Sequence, residues 1–233
     1  MNRRRYLAAI ATTTAVLGLH GQRGANATQG DSGRETGTAT ADGQPGGQTP
    51  GQSPTGPAVQ SFTGSGPSVE RGIEIEGGLT VVSATHAGTS NFVVTLVGEG
   101  EFDDLFVNAI GEYEGETAAL LEQGSYLLDV DADGDWAVEI RQPRAARGEP
   151  LPQSLRGSGP SVSGPFQFTG THVASATHSG ESNFIVEVYP VAGAFAELVV
   201  NEIGQFEGES AFRFDGLGWV AVQADGDWTV ALE

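Results

Sequence analysis

The chain has 233 residues, no cysteine, and thirty acidic against eleven basic side chains, a formal net charge of −19. Every basic residue is an arginine. This composition excludes disulfides, thiolate chemistry and sulfur-based zinc sites, and it argues against nucleic acid and anionic membrane as partners, because no basic patch exists to neutralise phosphates.

Residues 1–27 read as a targeting segment. Arg3-Arg4-Arg5-Tyr6-Leu7 resembles the twin-arginine export motif, a weakly apolar run from Leu7 to Leu19 follows, and Ala25-Asn26-Ala27 is a small-x-small cleavage signal. The run is too short for a comfortable membrane span, so a cleaved signal is expected, with an uncut anchor as the alternative, and no membrane insertion of the mature chain. Export to the cell surface or the extracellular medium follows. Arg3, Arg4, Arg5 and Arg23 precede the cleavage point, which leaves thirty acids against seven arginines, a net −23. Such self-repulsion is costly at low salt and screened at high salt. Strong acidity without lysine resembles the protein surfaces of extreme halophiles.

Residues 28–60 are Gly, Thr, Gln, Pro and Ser with almost no apolar side chain. They bury too little to offset ordering entropy, and a disordered linker is expected there. The remainder is duplicated, as residues 61–142 and 155–233 joined by a linker at 143–154. Both copies open with Gly-Ser-Gly-Pro-Ser-Val, at Gly64 and Gly157. Both contain Ala-Thr-His-x-Gly-x-Ser-Asn-Phe, from Ala84 and from Ala176. Both carry Val-Asn-x-Ile-Gly-x-aromatic-Glu-Gly-Glu, from Val107 and Val200, and both close with Ala-Asp-Gly-Asp-Trp, ending at Trp136 and Trp228.

Between these landmarks the period is two. Phe92, Val94 and Leu96 alternate with Asn91, Val93 and Thr95; Phe184, Val186 and Val188 repeat the pattern. Leu128, Val130 and Ala132 point inward while Asp129 and Asp131 point outward, and Trp136, Val138 and Ile140 match Trp228, Val230 and Leu232. Turn residues recur throughout. The expected fold is all-β: two tandem antiparallel β-sandwich, jelly-roll-like modules of about seven or eight strands each. Arg141, Arg144, Arg147 and Arg156 gather around the linker. One reading pairs these arginines with acids of the two copies and so limits hinge motion; surface ion pairs are weak and salt-screened, so a solvated hinge is expected there instead.

The landmarks Thr-His-x-Gly-x-Ser-Asn-Phe, Val-Asn-x-Ile-Gly and Ala-Asp-Gly-x-Trp resemble a tandem-repeat domain of twin-arginine-exported haloarchaeal surface proteins. The strand rhythm is similar to pre-peptidase C-terminal type β-sandwich domains. The resemblance implies an exported, salt-adapted sandwich and transfers no catalytic residue.

Two candidate sites remain. Asp129, Asp131 and Asp133 in Asp-x-Asp-x-Asp-Gly match the opening of an EF-hand loop, a weak Ca²⁺ or Mg²⁺ candidate. Ile140 stands at the twelfth position, and the second copy keeps only Asp225. The competing reading is a strand with outward acids followed by an Asp-Gly hairpin turn. The second candidate is the repeated His-x-Gly-x-Ser-Asn turn. In one reading the asparagine amide satisfies the backbone of the turn and the histidine packs at the edge of the core, with Gly88 and Gly180 supplying positive φ. In the other, His86, Asn91 and Asn108, with His178, Asn183 and Asn201, line a polar pocket for a ligand.

No Gly-x-Ser-x-Gly elbow and no His-Glu-x-x-His is present. A non-enzymatic interaction or adhesion protein without a cofactor is expected, with a cell-envelope protein or glycan as partner. The alternative is a ligand-binding accessory module, for instance for polysaccharide, beside a separate secreted enzyme.

Overall fold

The computed structural model describes residues 56–100 and 103–233, and every regular element among them is a strand. The expected signal segment, the linker up to residue 55, and residues 101–102 lie outside the described residues. The first eight strands are β1 (Gln60–Ser65), β2 (Ser68–Ile75), β3 (Gly78–Ala87), β4 (Asn91–Val97), β5 (Asp104–Ile110), β6 (Tyr113–Leu121), β7 (Gly124–Asp131) and β8 (Asp135–Arg141). Then come β9 (Glu149–Pro150), β10 (Gln153–Ser158), β11 (Ser161–Phe168), β12 (Thr171–His178), β13 (Asn183–Pro190), β14 (Glu197–Ile203), β15 (Phe206–Arg213), β16 (Gly216–Gln223) and β17 (Asp227–Leu232).

Alternation decides which side chains go inward, and the strands then stack as sandwiches. In the N-terminal half the orders are β1-β8-β3-β6 and β2-β7-β4-β5; in the C-terminal half they are β10-β17-β12-β15 and β14-β13-β16-β11-β9. The same strands occupy the same places, with β9 as an addition. All pairings are antiparallel except the short β9–β11 contact. Phe92, Val94, Leu96, Leu128, Val138 and Ile140 meet between the first two sheets, and Phe184, Val186, Val188, Val220, Val230 and Leu232 between the other two. Each is buried to within 1% of complete, and each such side chain contributes about 1.5–3 kcal/mol of transfer free energy.

The repeated glycines make room for the tryptophans. Gly64 lies opposite Trp136 and Gly157 opposite Trp228 across paired strands. A Cβ on Gly64 would strike the Trp136 indole, and one on Gly157 would come within 2.7 Å of the Trp228 ring. Each indole N–H then donates to the turn that follows, Trp136 Nε1 to the Gly66 carbonyl at 2.9 Å and Trp228 Nε1 to that of Gly159 at 2.8 Å. A buried tryptophan keeps its one polar atom satisfied this way.

A third apolar cluster joins the halves. Leu79 and Val81 on β3, with Ala118 and Leu120 on β6, face outward from the first sandwich and pack with Tyr189, Trp219, Val162 and Ala221 of the second. The Glu116 N–H donates to the Pro160 carbonyl at 3.0 Å across this contact. The solvated hinge expected between the copies is corrected here. Arg144 lies against the first half and donates through its guanidinium to the carbonyls of Leu79 and Gly77. Buried Gln142 donates to the Glu74 carbonyl at 2.9 Å and accepts from the Glu76 N–H at 2.7 Å, and Ala145 joins the third cluster. Main-chain carbonyls at the sandwich edge offered these side chains acceptors that acid counting does not reveal.

Candidate functional site

At one end of each half, four turns meet around a histidine. His86 is the penultimate residue of β3, on the inward phase shared with Ala84 and Val82. Its side chain is fully buried and its ring stacks on Phe92, centroids 4.6 Å apart and planes within 7°. Nδ1 lies 2.7 Å from the carbonyl oxygen of Gly111 in the β5–β6 turn. A carbonyl only accepts, so Nδ1 carries the proton and donates. Nε2 faces Asp133 Oδ1 of the β7–β8 turn at 3.3 Å, at ion-pair distance but outside hydrogen-bond alignment. The C-terminal half repeats the arrangement. His178 stacks on Phe184 at 4.8 Å and 8°, donates through Nδ1 to the Gly204 carbonyl at 2.8 Å, and faces Asp225 Oδ1 through Nε2 at 3.2 Å.

The aspartate also holds the β3–β4 loop. Both Asp133 oxygens accept from the Thr89 N–H at 3.1 Å, and Oδ2 accepts from its hydroxyl. Asp225 Oδ2 accepts from the N–H groups of Glu181 at 3.1 Å and Ser182 at 3.0 Å. The Ser90 and Thr89 N–H groups hold the Asp133 carboxyl below the usual carboxylate range. Burial works to raise the Asp225 carboxyl, but the donors on Glu181 and Ser182, with His178 nearby, outweigh it and hold this group low too. The turns are tied to one another as well. Gly111 N–H donates to the Ser90 carbonyl at 2.7 Å and Gly204 N–H to that of Ser182 at 2.8 Å, while Gly66 N–H donates to the Gly134 carbonyl at 3.0 Å. All four repeated landmarks are therefore parts of one clasp.

Gly88 and Gly180 belong to it for a different reason from the one expected. Neither has a backbone in the left-handed region. A Cβ on either would run into the histidine Nε2 and the aspartate carboxylate. Close approach, not φ, requires glycine there, and likewise at Gly134, where a Cβ would strike the Ala87 carbonyl. Left-handed glycines do occur in the neighbouring turns, at Gly111 (φ 85°) and Gly204 (φ 82°).

The structure does not gather the expected polar pocket. His86 points between the sheets, whereas Asn91 and Asn108 are exposed on the outer face of β4 and β5, where Asn91 pairs with Ile110 and Asn108 with Val93. His178 is likewise buried while Asn201 is exposed and Asn183 half-buried. Period-two alternation separates them: His86 and Phe92 share the inner phase, and Asn91 takes the outer one. The fastening role expected of Asn91 and Asn183 falls to Asp133 and Asp225. The visible signal was that these aspartates survive in both copies, whereas Asp129 and Asp131 do not.

The Asp129, Asp131 and Asp133 set is not brought together either. Asp129 and Asp131 lie exposed along extended β7, and Asp133 is turned to the Thr89 loop. Among the described residues no group of three His, Asp or Glu side chains has metal-binding geometry. An extended strand spreads alternate residues roughly 6–7 Å apart, where an EF-hand loop curls them round the ion.

No family model matches the chain, and no curated protein matches it. A solved structure, the PBSX exported protein XepA, aligns at 9% identity over 76% of this chain and 86% of its own, with a TM-score of 0.29.

The chemistry of the clasp is that of a fastener. Nδ1 of each histidine is engaged with a carbonyl, and Nε2 is covered by a carboxylate and walled by glycine. Neither nitrogen opens toward a substrate proton or a metal ion. What the halves share on their surfaces lies elsewhere. Leu105 and Ile110 on edge strand β5 are 39% and 54% exposed, and Leu198 and Ile203 at the same positions of edge strand β14 are 51% and 77% exposed.

Proposed function

We propose that the chain is an exported, non-enzymatic interaction or adhesion protein of a halophile, acting at the cell surface or in the extracellular medium on an envelope protein or glycan. The observation that carries this reading is the duplicated edge: Leu105, Asn108 and Ile110 on β5 recur as Leu198, Asn201 and Ile203 on β14, all on the surface. Exposed aliphatic side chains on a sheet edge suit recognition, because the edge supplies main-chain hydrogen bonds and the side chains supply specificity. A net charge of −19 keeps a chain with exposed aliphatic side chains soluble.

A second reading has one feature in its favour. A groove of about 620 Å³ lies between the outer face of β1, β8, β3 and β6 and the β10–β11 turn, lined by Ser61, Ser83, Glu116, Glu139, Ser158 and Ser161 among others. Its hydroxyl and carboxylate lining suits a neutral polyhydroxylated ligand such as a polysaccharide. One experiment separates the two. The immobilised chain is exposed to cell-envelope extract in molar salt, beside an edge variant altered in both copies, Leu105→Asp/Ile110→Asp/Leu198→Asp/Ile203→Asp, and the groove variant Ser83→Ala/Glu116→Gln. The interaction reading expects retention by wild type and loss in the edge variant alone. Loss in the groove variant alone transfers the function to the groove, and retention equal in all three refutes both.

A further inference from the structure

We infer that the chain assembles head to tail with further copies of itself, by repeating between molecules the contact its two halves make within one. The inner contact is asymmetric. The N-terminal half contributes the outer face of β3 and β6, with Leu79 paired to Leu120 and Val81 to Ala118. The C-terminal half contributes a different face, the outer side of β13, β16 and β11, with Tyr189 paired to Trp219 and Val162 to Ala221. Joining two similar bodies through unlike faces is a heterologous contact. Among the described residues it leaves each face's counterpart uncovered, and such contacts propagate unless closed by rotation.

Strand register identifies the unused faces. On the C-terminal half, Thr171 paired to Arg213 and Val173 paired to Ala211 stand where Leu79–Leu120 and Val81–Ala118 stand in the first. On the N-terminal half, Val97 paired to Leu127 and Val69 paired to Asp129 stand where Tyr189–Trp219 and Val162–Ala221 stand in the second. Both unused faces remain partly apolar: Val173 is 38% and Val69 51% exposed. The C-terminal face carries Arg213, and the N-terminal face carries Asp129 and Asp131 together with Arg71, which stands in the place of Gly164 and pairs with Leu127. Arg213 replaces Leu120 and Asp129 replaces Ala221, two residues that share the inner cluster. Brought together as their counterparts are, Arg213 and Asp129 pair across the new contact. Arg213, now 3.0 Å from Asp215 in a largely exposed pair, is free to exchange that partner. The turn of Pro67, equivalent to that of Pro160, would reach the Glu209 N–H as Pro160 reaches that of Glu116.

The polar replacements make this contact weaker than the inner one, so assembly depends on concentration. It also depends on salt, because the net charge of −19 repels copies until it is screened. The test is sedimentation of the full chain in molar KCl over a range of concentrations. Wild type is expected to grow in mass beyond a dimer. Val69→Asp and Val173→Asp each block one face; both sites are exposed, and circular dichroism checks the fold. Each variant alone is expected to associate about tenfold or more weakly. Mixed together, they retain one intact face each and form a one-to-one pair that goes no further. A wild type that stays monomeric throughout overturns the inference. So does association that neither variant weakens, or a mixture that fails to pair.

Discussion

Removing the Asp225 carboxylate tests the clasp where it is most shielded. In Asp225→Ala the N–H groups of Glu181 and Ser182 lose acceptors at 3.1 and 3.0 Å, and His178 Nε2 loses the carboxylate 3.2 Å away. The Asp225 side chain is only 8% exposed, so water competes little for these bonds. Two hydrogen bonds to a charged group are worth about 3–6 kcal/mol together. The Glu181 segment is exposed and regains a bond to water, which leaves a central expectation of about 3 kcal/mol. At ~2–4 °C per kcal/mol for a body of this size, Tm falls by roughly 6–12 °C. Asp133 makes the equivalent contacts with a side chain 36% exposed, so Asp133→Ala loses less. Thermal unfolding followed by circular dichroism in molar KCl reads both. An Asp225→Ala protein that melts within about 1 °C of wild type, or an Asp133→Ala protein that loses more, refutes the reasoning.

Gly180→Ala places a methyl against His178 and Asp225 without a φ penalty, so its destabilisation, about 1–3 kcal/mol by denaturant unfolding, is an overpacking effect; an unchanged midpoint would mean the loop gives way freely. Acid should loosen both clasps. Asp133 and Asp225 sit below the usual carboxylate range in the folded chain, so the unfolded state takes up their protons first. Their stabilisation is complete above the unfolded-state value of about 3.9 and is lost as pH falls through it toward the folded values. Urea midpoints measured down through that window at constant molar salt should fall for wild type and fall less for Asp225→Asn.

The strand phases were legible in the sequence because period two leaves no freedom. Once Phe92, Val94 and Leu96 face inward, Asn91 must face out, and the β-sandwich class follows from alternation and turn spacing. The same alternation, carried one step further, already separated His86 from Asn91, since the turn between them places Phe92 rather than Asn91 against the imidazole. What the sequence could not settle was the partner of each landmark. Asp133 lies 47 residues beyond His86, and Gly111 lies 25 beyond it; that they meet at one ring depends on which strands pair across two sheets. Trp136 and Gly64 likewise explain each other only through the β1–β8 register. The joining of the halves was the least legible. Leu79, Leu120, Trp219 and Tyr189 occupy outer phases that on either sandwich alone would read as exposed. Sequence determined which side chains each strand turns to either face, because that is local backbone geometry. Only the tertiary structure decided which outer face is covered, because that depends on a contact between surfaces far apart in the chain.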